Sequence, residues 1–316
     1  MALEAPSTET LDCTVRLAML PCSALPDALF TLLELCLFSS VETTFLNVTV
    51  TDRTTISIIA EAHVLERLSA SAPESVVQDE CEWAVVRVGE GSLGFESVGV
   101  IERITEPLAR HQIPVLYTST YSTDYCLIPR ERLDEALQVL TTPAAHLPVD
   151  GGSTSLHTHP LTVMDCSTSI MQLEKAHRQQ HTGALLRMLF MPRGDDPHQA
   201  IVSLTETADE ISLVAGAAPW WDEHMRTAQG LQDDPQVWVP IRVGDEHGTP
   251  LEETGVVATQ AKVLAEANLS ILYLSTFYSD YTLVQRDDVD CAADAFETRG
   301  FRCARQQTVG EHEDPG

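Results

Sequence analysis

The chain of 316 residues contains a version of itself. The stretch ESVGVIERITEPLARHQIPVLYTSTYSTDYCLI begins at Glu96, and EETGVVATQAKVLAEANLSILYLSTFYSDYTLV begins 156 residues later at Glu252. Over these 33 positions there are 12 identities, among them Gly99 with Gly255, Tyr117 with Tyr273 and Asp124 with Asp280. Upstream, the segments starting at Trp83 and Trp238 match at an offset of 155, so a single gap reconciles the two registers. A repeat of this length dictates two homologous halves. Any candidate site in one half therefore has a twin to be weighed against it.

Within the first half the hydrophobic spacing alternates between two periods. Val15 to Leu20 is a short apolar strand. Pro26 to Phe38 carries Ala28, Leu29, Leu32, Leu33 and Cys36 as a helical stripe. Phe45–Val50 and Thr55–Ala60 read as a hairpin, and His63–Ser69 as a second helix. The order then repeats: a strand over Val85–Val88, a helix over Gly99–Gln112, strands over Pro114–Thr118 and Tyr125–Ile128, a helix over Glu131–Leu140 and a weak strand over Ala144–Val149. This βαββαβ order is the ferredoxin-like split unit. In the second half Leu161–Asp165 reads as a strand, Ser169–Phe190 as one long helix, and Gln199–Thr205 with Ile211–Ala215 as a hairpin. The fold class expected is α+β, with four ferredoxin-like βαββαβ modules in two halves, of the kind whose ligand-binding version is the ACT module. The boundaries are an N-terminal extension over 1–11, modules over 12–81 and 82–150, a linker over 151–158, modules over 159–235 and 236–308, and a tail over 309–316.

With 19 basic against 47 acidic residues the net charge is −28. Such a surface repels nucleic acid and anionic lipid, so neither is expected as a partner. It attracts cations, although the charge also serves solubility alone. The eight cysteines are scattered, without Cys-x-x-Cys spacing, and most sit in apolar runs. They read as small core residues of a protein in a reducing compartment, which makes the expected location cytoplasmic. The N-terminus lacks the pattern of a secretory signal, and no apolar run is long enough to span a membrane.

Three sets of segments carry a resemblance: Leu93-Gly94-Phe95-Glu96-Ser97-Val98-Gly99-Val100; the loops Ser119–Asp124 and Ser275–Asp280; and Leu189–Arg193 with Ser203–Thr207. Together these resemble the CASTOR family of cytosolic arginine sensors, which are built from tandem ACT domains. The halves read in swapped order relative to that family. The resemblance implies a non-catalytic sensor that binds a free amino acid, arginine first, between the second modules of the two halves. It also implies control of a regulatory protein partner in TOR-pathway signalling, and it allows a homodimer. No cofactor is expected.

The expected site follows from the same resemblance. Gly94, Glu96 and Ser97 form the approach to the helix; the family carries a glutamate at Ser97. Val98 and Gly99 lie near the ligand's head group, Thr120 and Tyr121 near its side chain, and Asp124 meets its cation. Ser270 and Ile271 reach in from the opposite half. Physical reading is compatible with this. A helix N-terminus that begins at a glycine offers free N–H groups to a carboxylate, and an aspartate offers charge-assisted bonds to a guanidinium. Plainer readings stand beside each residue: a tight turn for the glycines and a capping role for Asp124. Ser270 has Pro114 as its twin, which supplies neither hydroxyl nor N–H, so one site per chain is expected. His177 and His181 read as a solvated face rather than a metal pair, since no zincin motif surrounds them. Trp220-Trp221 reads as core or as a partner contact. No nucleophile–base pattern is visible, so no enzyme is expected. The second function class is a regulatory or scaffolding subunit of an enzyme complex that binds no amino acid.

Overall fold

The computed structural model describes residues 7–38, 43–52, 54–89, 98–141, 159–191, 201–216, 228–245 and 248–306. The expected strand over Ala144–Val149, the linker over 151–158, the tail over 309–316 and Trp220-Trp221 lie outside the described residues.

Four stretches repeat a β-α-β-β order. The first holds β1 (Thr8–Pro21), α1 (Leu25–Cys36), β2 (Phe45–Thr51), β3 (Thr55–Glu61), α2 (Ala62–Ser71) and β4 (Val77–Gln78). The second holds β5 (Trp83–Val88), α3 (Val100–Arg110), β6 (Leu116–Ser119), β7 (Asp124–Pro129) and α4 (Leu133–Thr141). After β8 (Leu161–Val163), the third holds β9 (Thr168–Leu173), α5 (Thr182–Phe190), β10 (Ile201–Thr207), β11 (Ile211–Gly216) and β12 (Leu231–Asp233). The fourth holds β13 (Trp238–Val243), α6 (Val256–Glu266), β14 (Ile271–Ser275), β15 (Asp280–Gln285), α7 (Val289–Thr298) and β16 (Cys303–Arg305).

The strands run in the order β9-β11-β10-β2-β3-β1-β5-β7-β6-β14-β15-β13, and a further pairing of β13 with β9 returns the path to its start. Twelve strands thus close a ring, with β12, β8, β16 and β4 attached outside it. Closure removes the open edges that a twelve-strand sheet would otherwise expose. The halves meet at two seams. At one, β2 and β10 pair antiparallel from Phe45↔Thr207 to Thr51↔Ile201. At the other, β6 and β14 share the single pair Thr118↔Leu274.

Strand alternation gives the ring two faces. Leu46, Val48 and Val50 turn outward beneath α1, α2 and α5 in one core cluster. Their neighbours Phe45, Asn47 and Thr49 turn the other way, and all of β2 is buried. The apolar part of that inner face includes Phe45, Trp83, Tyr125 and Leu127 on one side, and Trp238, Leu274 and Tyr281 on the other. Its polar part crosses the β2–β10 seam: the Asn47 amide donates to the Ser203 and Thr205 hydroxyls at 3.0 and 2.9 Å. A buried amide is tolerable only when bonded in this way.

The structure revises several sequence expectations. β1 starts at Thr8, so the proposed boundary at residue 11 cuts a strand. Its N-terminal part pairs with β5 and its C-terminal part with β3, and the ladder slips between Thr10 and Thr14. In the second half the same passage is broken outright into β8 and β9. β8 belongs to the fourth stretch's sheet, pairing with β13 and β16, although the boundary at 159 assigns it to the third module. The expected long helix over Ser169–Phe190 is instead β9, a 3-10 turn over Lys175–His181 and the short α5. Ser169-Ile170-Met171-Gln172-Leu173 is held extended between β11 and β12. His181 is 6% exposed rather than solvated, and its Nε2 lies 2.8 Å from the Gln229 carbonyl.

Candidate functional site

Helices α3 and α6 pack against each other where the halves meet. Each is capped by a glycine in the left-handed region, Gly99 at φ 77° and Gly255 at φ 85°. A Cβ on Gly99 would stand 3.7 Å from the Ala265 side chain, and one on Gly255 would stand 3.7 Å from that of Ala109. The start of each helix thus meets the end of the other, an antiparallel two-fold arrangement set by the repeat.

Beneath the helices the β6–β14 seam carries a reciprocal network. The Tyr273 N–H donates to the Ser119 hydroxyl at 3.0 Å, and the Tyr117 N–H donates to that of Ser275 at 3.0 Å. Each serine bonds the aspartate of its own half, Ser119 to Asp124 and Ser275 to Asp280. The tyrosines complete the pattern: Tyr117 Oη donates to Asp124 at 3.1 Å and Tyr273 Oη to Asp280 at 3.0 Å. Both aspartates are strand residues at the starts of β7 and β15, 8% and 7% exposed. Burial pushes both carboxyls up to about 6, against the pull of the serine and tyrosine hydroxyls. For Asp280, His159 lowers the value further and Glu253 raises it. The tyrosine phenols are held well above their ordinary range by burial and the adjacent carboxylate, so they remain donors.

Gly94, Glu96 and Ser97 lie outside the described residues. Val98 and Gly99 sit at the start of α3, half-buried. Ile271 opens β14 and packs against the cores of both adjoining halves, with Ser270 half-buried beside it. Thr120 and Tyr121 reach away from this interface toward the third stretch. The Thr120 hydroxyl lies 2.6 Å from Glu210 Oε1, and the Tyr121 N–H donates to Ser212 at 2.9 Å. The twin of Tyr121 behaves alike, the Phe277 N–H donating to Ser57 at 2.9 Å, while Thr276, the twin of Thr120, bonds Ser279 within its own loop. Each loop is therefore plugged into the outer stretch of the opposite half.

A cavity of about 10 Å³ lies at the twin of the expected position, between Val115 and Leu116 of one half and Glu253, Val256, Thr276 and Asp280 of the other. It has room for one water. Glu253 is the twin of Ser97, and its Oε1 lies 2.8 Å from His159 Nε2. Glu253 thus stands in the second half where the family resemblance asks for a glutamate in the first. Sequence reasoning set His159 aside for want of a third metal ligand nearby, and it passed over Glu253 and the Tyr–Ser network. The repeated Leu-Tyr-x-Ser-Thr at Leu116 and Leu272 was the available signal for the network. Among the described residues no group of three His, Cys, Asp or Glu side chains is placed to hold a metal ion. No helix there is long and apolar enough to cross a membrane.

Residues 79–142 and 235–298 match the ACT domain family model, one match in each half. The chain therefore carries two ACT domains in an α+β fold. It is distantly similar to the "cytosolic arginine sensor for mTORC1 subunit 1" of Rattus norvegicus, 25% identical over 258 residues, covering 70% of this chain and 76% of that one. The Homo sapiens protein of the same description is 24% identical over 255 residues, with the same coverage. Among solved structures, aspartate kinase from Synechocystis aligns over 98% of this chain and 58% of its own, at 12% identity and a TM-score of 0.34.

Proposed function

We propose that this protein is a non-catalytic sensor of a free amino acid, arginine first, built from four ACT modules and acting on a regulatory protein partner. The ligand sits where the second and fourth modules meet. The observation that carries this reading is the pair of buried aspartates, Asp124 and Asp280, each wired by a serine to the backbone of the opposite half. A guanidinium beside either carboxylate would favour its ionised form and strain or tighten the seam. The Asp280 side is the better candidate, because Glu253 adds a second carboxylate there and a cavity already exists. That choice moves the ligand's cation from Asp124, the residue the swapped-order resemblance favours, to its twin. The arginine named in the description of the relatives supports the choice of ligand.

The cavity is far smaller than the several hundred Å³ of ordinary ligand sites. Binding must therefore select a more open arrangement of the seam, and a partner surface could respond to that shift. The same closure favours a second reading, an ACT scaffold that regulates an enzyme complex without binding an amino acid.

A melting-temperature screen of the twenty amino acids separates the two. A ligand bound only to the folded chain adds about 2.7 kcal/mol of stability at a hundredfold excess over Kd. Arginine is expected to raise the transition most. If no amino acid at millimolar concentration moves it, the sensor reading falls and the scaffold reading stands.

A further inference from the structure

The repeat builds a second pair of matching sites, remote from the α3–α6 interface. Each lies where the chain passes from one stretch's sheet to the next, at the slip in β1 and at the break between β8 and β9. The first is a cleft of about 420 Å³ around Asp12-Cys13-Thr14 and Arg130. The second, of about 430 Å³, surrounds Asp165-Cys166-Ser167 and Arg286. The same residue types recur in the same places: an aspartate, a cysteine, a hydroxyl and an arginine that opens the turn into the following helix.

The twins differ in what satisfies them. In the second half the Arg286 guanidinium bonds the Ser167 hydroxyl, and the Asp165 N–H donates to the Gln306 side chain at 3.2 Å. Arg305 on the same wall pairs with Asp290. In that cleft the arginine and the backbone at the strand break thus have protein partners, while the Asp165 carboxylate, exposed like that of Asp12, has none among the described residues. In the first half the ladder between β1 and β5 has no pairs from Leu11 to Cys13. Among the described residues no hydrogen bond or ion pair reaches the Asp12, Cys13 or Thr14 side chains or the Arg130 guanidinium. Burial, with Glu61 and Asp12 nearby, pushes the Cys13 thiol up to about 12, so it lines the cleft as a neutral S–H group.

We infer that the first-half cleft binds a small zwitterion, an α-amino acid whose carboxylate meets Arg130 beside the slipped β1 backbone and whose ammonium meets Asp12. In a chain of net charge −28 a bare anion would be repelled, whereas a zwitterion matches both the arginine and the aspartate. In the second-half cleft Ser167 and Gln306 already occupy the arginine and the backbone N–H that a carboxylate would need, so that cleft stays unliganded. This site is independent of the reading given for the Asp124–Asp280 interface. Its test uses L-alanine, which has no cationic side chain to engage that interface.

The full chain is titrated with L-alanine and followed by two-dimensional 1H–15N spectra. Saturable shifts are expected at the amides of Leu11–Thr14. Arg130→Gln is expected to weaken the apparent affinity about tenfold, while Arg286→Gln leaves it unchanged. Thr14→Val removes one donor without altering charge and is expected to weaken binding in the same direction. Absence of saturable shifts at those amides, or equal losses in Arg130→Gln and Arg286→Gln, overturns the inference.

Discussion

Replacing Asp280 by asparagine should make the protein more stable above neutral pH. The carboxyl rises from 3.8 to about 6 because burial disfavours its charge. A carboxyl held high in the folded state contributes stability that is present at acid pH and is lost as pH rises through about 6. At 1.36 kcal/mol per pH unit, ionising it in the folded chain at pH 7.5 costs about 3 kcal/mol. An amide keeps the shape and avoids that cost, but it has one acceptor oxygen where the carboxylate offers two to Tyr273 and Ser275. Losing one such bond forfeits about 1 kcal/mol, so the net gain is about 2 kcal/mol at pH 7.5. At about pH 4, where the folded carboxyl is already neutral, that gain disappears and the variant matches or falls below the parent. Urea denaturation of parent and Asp280→Asn across this range measures the difference directly, cancelling the other acidic groups. A stability difference that does not change with pH would refute the reasoning, since the carboxyl would then titrate alike in folded and unfolded chains. If the same variant also loses its arginine-induced rise in melting temperature, the buried charge is kept for binding at the expense of stability.

Gly99→Ala and Gly255→Ala should cost about 1–2 kcal/mol each from the left-handed backbone alone, because the new methyl meets its alanine neighbour at an ordinary 3.7 Å; equal losses in chemical denaturation would confirm that the two caps are equivalent. Asn47→Leu leaves the seam hydroxyls of Thr49, Ser203 and Thr205 without their amide partner, and a loss of about 1–3 kcal/mol is expected on the denaturation midpoint.

Much of this architecture is legible in the order of residues. The identities that link Glu96 onward to Glu252 onward mark the halves, the two ligand-loop candidates and the paired glycines, since local turns and caps depend on local residues. What resisted reading depends on distant partners. Thr8–Thr10 is polar and falls in the expected N-terminal extension, yet β5 recruits it as a strand. Ser169–Leu173 has apolar residues that suit either period, and only its position between β11 and β12 makes it extended. The site shows the same division. Asp124 and Asp280 stand out as repeat-conserved carboxylates within the chain. That His159, from the region joining the halves, would come to rest on Glu253 follows from tertiary packing alone.

The β2–β10 seam has a consequence for biosynthesis. Asn47 and its partner Ser203 lie 156 residues apart, so at about 5–20 residues per second a ribosome needs roughly 10–30 s to deliver the partner after β2 has emerged. During that interval the nascent first half presents β2, a run of Val, Thr and Leu that the finished ring buries entirely, as an open edge. Open edges of that composition recruit other chains. Until the second half is synthesised that edge stays open to pairing with other chains, and the yield of folded protein is expected to depend on translation speed.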